Sequence, residues 1–284
     1  MKSYGLLFFI FPFFIASAAH AAILLHVSQA NIIQGEPVMI TVSGTTSLPA
    51  ATSPRLYFFM YRGVPTALYG ADLHQATGTV SVSVIWKDGT TATTSFLVRE
   101  RVSPTEFIPV PASLGGNSSA NQTRVVSELE KDNTDLLKTY SRKDKALWTA
   151  IFSFPVANPV VTDPYGFVRS SGDYVIAHKG TDFHAPPGTP VDAVNRGVVR
   201  VAKYYPTYGN TIVVDHGLGV LSIYMHLSKI FVGAGELVLK GEKIGLSGET
   251  GYAEGPHLHL SIRIGNISVD PMKFFALFGV TLPQ

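Results

Sequence analysis

Cysteine is absent from all 284 residues, and that one absence removes several classes of protein. There can be no disulfide framework, no thiolate metal site and no cysteine to carry a lipid, so stability has to come from ordinary packed cores. Charge is scarce as well: Lys, Arg, Asp and Glu make up 15% of the chain and nearly cancel, at a net of +2. Over residues 146–284 they cancel fully, 10 basic against 10 acidic, which leaves no electrostatic case for a nucleic acid or an anionic membrane as partner. Long apolar runs are missing too. The single candidate, residues 6–15, is shorter than the roughly 20 residues that span a bilayer, and it lies between Lys2 and the small-residue ending Ala19-His20-Ala21. A basic start, a short apolar stretch and an A-x-A ending predict a cleavable export signal over residues 1–21. The expected protein is therefore periplasmic or secreted, with no stable membrane insertion after cleavage. No internal repeat or low-complexity tract interrupts the rest.

What is present is mainly β-forming, and 46% hydrophobic residues supply ample material for cores in one large or two ordinary domains. Residues 22–103 show short strand-like runs separated by turn signals, such as Val38-Met39-Ile40-Thr41-Val42 and residues 79–86. In the latter, Val80, Val82, Val84 and Trp86 alternate with Thr79, Ser81, Ser83 and Ile85, the pattern of a half-buried antiparallel strand. Lys87-Asp88-Gly89-Thr90 then offers a hairpin turn. The expectation is a small β-sandwich, with an immunoglobulin-like arrangement as one form of it, although the Cys-Trp-Cys hallmark is missing. Residues 104–149 read as a linker and a connecting helix. The part over 104–121 is rich in Pro, Gly, Ser and Asn, and over 121–148 Val125, Leu129, Leu136 and Leu137 fall at helical spacing among alternating charges. Residues 150–284 turn β-rich again, with Gly and Pro between nearly all the runs, which predicts a second, mainly antiparallel β domain.

Six of the nine histidines, His178, His184, His216, His226, His257 and His259, lie in that last domain. In His178-Lys179-Gly180-Thr181-Asp182 an imidazole and a carboxylate, both good zinc donors, stand four residues apart. In Gly255-Pro256-His257-Leu258-His259-Leu260 the alternation places both imidazoles on one face of a strand, about 7 Å apart, with the leucines facing a core. Such a pair can be two ligands, a ligand and a base, or a structural pair, and spacing does not choose among them. In Ile223-Tyr224-Met225-His226-Leu227-Ser228, His226 is expected at a strand end, on the face of Tyr224 and opposite Leu221, Ile223 and Met225.

Taken in order, these segments resemble the lysostaphin/LytM-type zinc endopeptidases. The resemblance rests on His178-x-Gly180-x-Asp182, Gly209-Asn210-x-x-Val213-Val214-Asp215-His216-Gly217, Tyr224-x-His226-Leu227-Ser228 and Gly255-Pro256-His257-Leu258-His259. Ala185-Pro186-x-Gly188-Thr189-Pro190-Val191 and the closing Val269-Asp270-Pro271 extend it over residues 155–271. It implies that His178, Asp182 and His259 hold one Zn²⁺ per chain and that His226 and His257 are the catalytic pair. It also implies peptidoglycan as substrate, cut at its peptide cross-links by metal-activated water. Three protein ligands would leave a fourth position for water. His184, which starts an Ala-Pro-Pro-Gly loop, and His216, in an expected Asp-His-Gly turn, are left over. One departure is Leu260-Ser261, where many family members continue Phe-Glu. Two other readings stand beside the enzyme: a non-catalytic regulator of other wall hydrolases, whose family examples typically lack some of these five residues, and a zinc peptidase acting on glycine-rich proteins. The sandwich could bind wall polymer, contact a protein or cap the groove.

Overall fold

The computed structural model describes residues 22–107, 116–139, 145–148, 150–171 and 174–283. The expected export signal, residues 1–21, lies outside the described residues. The first region holds β1 (Leu24–Val27), β2 (Asn31–Ile33), β3 (Pro37–Ser43), β4 (Ala51–Ser53), β5 (Phe59–Tyr61), β6 (Val64–Gly70), β7 (Gly78–Ile85) and β8 (Thr91–Arg99). They form two four-stranded sheets, ordered β1-β3-β6-β5 and β2-β8-β7-β4. Val38 and Ile40 of one meet Ile32, Val82, Phe96 and Val98 of the other in a shared core, so this is the expected β-sandwich. The alternation in β7 holds: Val82, Val84 and the following Trp86 are buried while Ser81 and Ile85 are exposed. Gly89, at φ +84, closes the β7–β8 hairpin.

The connecting segment differs from the expected linker and helix in three ways. Residues 105–107 are not free linker but a strand, β9 (Thr105–Phe107), that pairs in parallel with β11 (Val168–Ser171). The helix, α1 (Ser119–Leu137), starts before residue 121 and ends well before Trp148. Residues 146–148 are instead claimed by the second region: Ala146 bridges to Gly217, and Leu147 and Trp148 are buried. The buried stripe of α1 is Gln122, Val125, Asp132 and Leu136, whereas Leu137 is exposed. Helical periodicity found the element, and the buried Asp132 escaped it because its partner, Thr207, lies far away in sequence.

The second region holds β10 (Val161–Asp163), β11, β12 (Tyr174–Ala177), β13 (Thr181–His184), β14 (Pro190–Asp192), β15 (Gly197–Tyr205), β16 (Gly209–Gly217), β17 (Val220–Leu227), β18 (Lys229–Ile230), β19 (Leu237–Val238), β20 (Lys243–Leu246), β21 (His257–Ile264), β22 (Ile267–Val269) and α2 (Pro271–Leu277). A large antiparallel sheet runs β10-β13-β21-β17-β16-β15-β19, with β22 also on β21. Its apolar face carries Leu258, Leu260, Ile262 and Tyr224, packed with Phe152, Phe183, Phe274 and Phe275. Each such fully buried side chain contributes about 1.5–3 kcal/mol. Asp270 of the closing Val-Asp-Pro run caps α2, accepting from the Met272 and Lys273 amides. Met39, Phe59 and Leu68 of the sandwich join this same core, with Phe59 edge-on to Trp148 at 5.1 Å. The sandwich is thus packed against the apolar side of the second region. Among the described residues no helix is long and apolar enough to cross a membrane.

Candidate active site

The opposite face of that sheet bears His257 and His259, and His178 and His226 converge on it. Because Leu258, Leu260 and Ile262 point into the core, alternation sends His257, His259, Ser261 and Arg263 to the other side. The β13–β21 register sets Asp182 directly across from His259 and His184 across from His257. His178 reaches the same point from the bend before β13, and Gly180 is what makes room. A Cβ at Gly180 would collide with the His259 ring and the Leu260 carbonyl.

His178, Asp182 and His259 are all buried, and one ligand atom of each lies within 4.8 Å of the others. His178 Nε2 stands 3.1 Å from Asp182 Oδ1, His259 Nδ1 stands 2.8 Å from that oxygen, and the two nitrogens are 3.0 Å apart. Which ring nitrogen carries the proton follows from the outer partners. His178 Nδ1 faces the Pro164 carbonyl at 3.0 Å, which only accepts, so the proton is on Nδ1 and the Nε2 lone pair points inward. Ser261 Oγ donates to the Lys179 carbonyl at 2.8 Å, so it accepts from His259 Nε2–H at 2.9 Å, and the Nδ1 lone pair of His259 also points inward. Two imidazole lone pairs and one carboxylate oxygen therefore converge, a donor set that could hold a divalent metal. Ser261, where the sequence departs from Phe-Glu, still supplies an outer hydrogen-bond partner for His259.

His226 and His257 stand beside this triad, with ring centroids 4.8 Å apart. His257 Nδ1–H donates to Gly255 O at 2.8 Å and His226 Nδ1–H to Thr250 O at 2.8 Å, which leaves Nε2 of each as an acceptor. His257 Nε2 is 3.8 Å from Asp182 Oδ1. The position of His226 corrects the simple alternation. Met225 pairs with His259, so it lies on the site face, and Tyr224 pairs with Leu260 on the core face. Strict alternation would send His226 to the core with Tyr224. Instead the β16–β17 register shifts there, and His226 takes a left-handed φ of +60, which turns its ring back to the site. Gly209, at φ +63, packs so closely on Thr250 that a Cβ would strike its carbonyl, and this close approach keeps the Thr250 acceptor under His226.

Burial pushes the His226 imidazole down to about 3, with His257 and His259 adding to the shift against Thr250 and Asp182. Burial likewise lowers His259 to about 4, opposed by Asp182. It raises the Asp182 carboxyl, but His178 and His259 outweigh it and hold that group well below the usual carboxylate range. At neutral pH Asp182 is therefore anionic and His226 and His259 are unprotonated, and for Asp182 and His259 these are the states that metal binding requires.

A cavity of about 380 Å³ opens in front of these residues. Its far wall is α1, through Val125, Val126, Leu129 and Glu130, and the sandwich contributes only His74 to the lining. The other end of α1 is clamped to the sheet. Asp132 accepts from the Thr207 amide at 2.9 Å, Leu136 packs on Leu221, Ile223 and Met225, and its carbonyl accepts from Arg263 at 3.2 Å. The element beside the groove is thus the connecting helix and not the body of the sandwich. Of the remaining histidines, His184 is exposed at the rim and outside the triad. His216 sits at the end of β16, not in a turn; it is fully buried, hydrogen-bonded to Arg196 O and Ser222 Oγ. Asn210 ties strand ends together by donating to Leu227 O.

A β fold with two imidazoles and a carboxylate around one point, and two further histidines beside them, defines a metallopeptidase-like site. Comparison with known proteins agrees. Residues 176–271 match the family model for Peptidase family M23, so the chain carries a domain of that family there. Peptidoglycan DD-endopeptidase ShyA of Vibrio cholerae is 46% identical over 110 residues, 39% of this chain and 26% of that protein. The chain thus matches about a quarter of that curated relative's length. A Pseudomonas aeruginosa crystal structure described as peptidase M23 superposes with a TM-score of 0.64 at 25% identity, covering 87% of this chain and 96% of that one. The catalytic domain of lysostaphin from Staphylococcus simulans is 34% identical over 42% of this chain and 92% of that domain, with a TM-score of 0.39.

Proposed function

We propose that this chain is a zinc-dependent endopeptidase that hydrolyses the peptide cross-links of peptidoglycan, working in the periplasm or outside the cell. The observation that supports it most is the convergence of His178 Nε2, Asp182 Oδ1 and His259 Nδ1, with two more unprotonated imidazole nitrogens alongside. These three residues would hold one Zn²⁺ per chain and leave a position open. When bound, the ion would acidify a water and polarise the scissile carbonyl. The chain supplies the proton handling. Thr250 O holds the proton of His226 on Nδ1, so Nε2 can accept one, and Gly255 O does the same for His257. One ring takes the proton of the attacking water, and the other, once protonated, stabilises the developing oxyanion or protonates the leaving amine. Peptidoglycan as the substrate is supported by the relative's description as a peptidoglycan DD-endopeptidase. A non-catalytic regulator is disfavoured because all five residues are present and converge.

Digestion of purified sacculi by the full chain, with and without a chelator, followed by mass spectrometry of the products, tests this. Muropeptides freed of cross-links should appear, vanish with the chelator and return with added Zn²⁺. Release indifferent to the chelator, or none at all from sacculi, would count against the proposal, and the masses would identify the bond.

A further inference from the structure

The two oxygens of Asp182 face different partners. Oδ1 lies toward His178 and His259, at 3.1 and 2.8 Å, while Oδ2 accepts from Arg169 Nη2 at 2.8 Å. The same Nη2 also donates to Asp163. Asp163 and Asp182 sit directly opposite in the β10–β13 ladder, so without a cation between them two carboxylates would confront each other. Arg169 comes from outside that ladder, on β11, which is held on one side by β12, Arg169 against Ile176, and on the other by β9, Arg169 against Glu106. Its Nε is buried without a partner. The guanidinium therefore sits where the two carboxylates need it and not where its own donors would best be satisfied.

We infer that Arg169 is a positioning residue that commits Asp182 Oδ2 to itself and so presents Asp182 to the metal through Oδ1 alone. This rests on the zinc reading above. A carboxylate freed of this clamp can swing to bind through both oxygens and occupy the coordination position that water needs. Charge alone does not provide the clamp. Both carboxylates are bonded by one nitrogen, Nη2, of a planar guanidinium whose geometry is fixed, whereas Lys offers only a point charge on a flexible stem.

Zinc titration of the purified full chain against a chromophoric chelator, together with visible spectra of the Co²⁺-substituted protein, tests the inference on wild type, Arg169→Gln and Arg169→Lys. In Arg169→Gln, zinc affinity should fall about 10- to 100-fold, and the Co²⁺ absorption should weaken as coordination rises from four toward five. Arg169→Lys should recover part of the affinity without restoring the wild-type spectrum. Asp163→Asn, which removes the competing carboxylate but leaves Arg169 on Asp182, should keep the wild-type spectrum, and it serves if Arg169→Gln does not fold. Zinc affinity within twofold of wild type and an unchanged spectrum in Arg169→Gln would overturn the role of Arg169, as would a changed spectrum in Asp163→Asn. Failure of the underlying reading looks different: wild type itself would bind no zinc, or His178→Ala would bind it as tightly as wild type.

Discussion

The sandwich and the large sheet are built on the same alternation and put it to opposite use. In β7, Val82 and Val84 go inward while Ser81 and Ile85 meet water. A polar side chain there needs nothing from the fold, and Ser83 finds only a neighbouring hydroxyl on Thr93. In β21, Leu258, Leu260 and Ile262 go inward too, but the other face is covered by α1 and the β11–β12 hairpin, so His259, Ser261 and Arg263 are buried as well. Buried polar groups have to be paired, and meeting that demand is what orients the triad. The difference teaches that the site arises where a sheet has no solvent face.

The sharpest way to break the comparison is to remove members of the covered face. His178→Ala should lose both zinc and turnover, whereas His257→Ala should keep stoichiometric zinc and lose about 10²- to 10⁴-fold in rate. Metal analysis beside muropeptide release checks this, and zinc lost from His257→Ala but retained by His259→Ala would reverse the assignment. Next comes His216, whose burial lowers it to about 4 from an ordinary 6.5. The unfolded chain takes up that proton first as the pH falls, so stability is full above pH 6.5 and declines between 6.5 and about 4. His216's share of the loss is about 3 kcal/mol, and His216→Gln should remove that share from a denaturant-derived stability profile while leaving the shares of His226 and His259. Gly180→Ala, pressed against the His259 ring and Leu260 O, should cost about 1–3 kcal/mol and weaken zinc binding, both readable in one thermal melt series with and without metal. Smallest is Ser81→Ala on the solvent face of the sandwich, expected within about 0.5 kcal/mol of wild type by chemical denaturation. A loss as large as that of Gly180→Ala would mean the two regions do not differ as described.

Much of the fold was legible. The strand pattern of residues 79–86, a helix within residues 121–148 and the β-rich second region were read from the sequence, and the closing Asp270-Pro271 reads as a helix start once α2 is seen. Strand β9 was not legible because three residues in a Pro-rich stretch carry no period of their own, and their pairing with β11 lies some sixty positions away. The placement of α1 over the groove was hidden likewise, since its anchors Asp132 and Leu136 meet residues seventy or more positions on. In the site, the five residues were visible as motifs, but the face occupied by His226 was not, because a register shift and a left-handed backbone defeat the alternation that reading assumes.

The order of amino acids is enough to name the side chains that can do chemistry here, to sort most of them onto strands and, with no cysteine in the chain, to exclude thiolate chemistry. Folding alone selects which nitrogen of each histidine faces inward. That choice belongs to the carbonyls of Pro164, Lys179, Thr250 and Gly255, the Lys179 carbonyl acting through Ser261. Every residue carries the same carbonyl whatever its side chain, so no motif can announce the one that will end up beneath a ring.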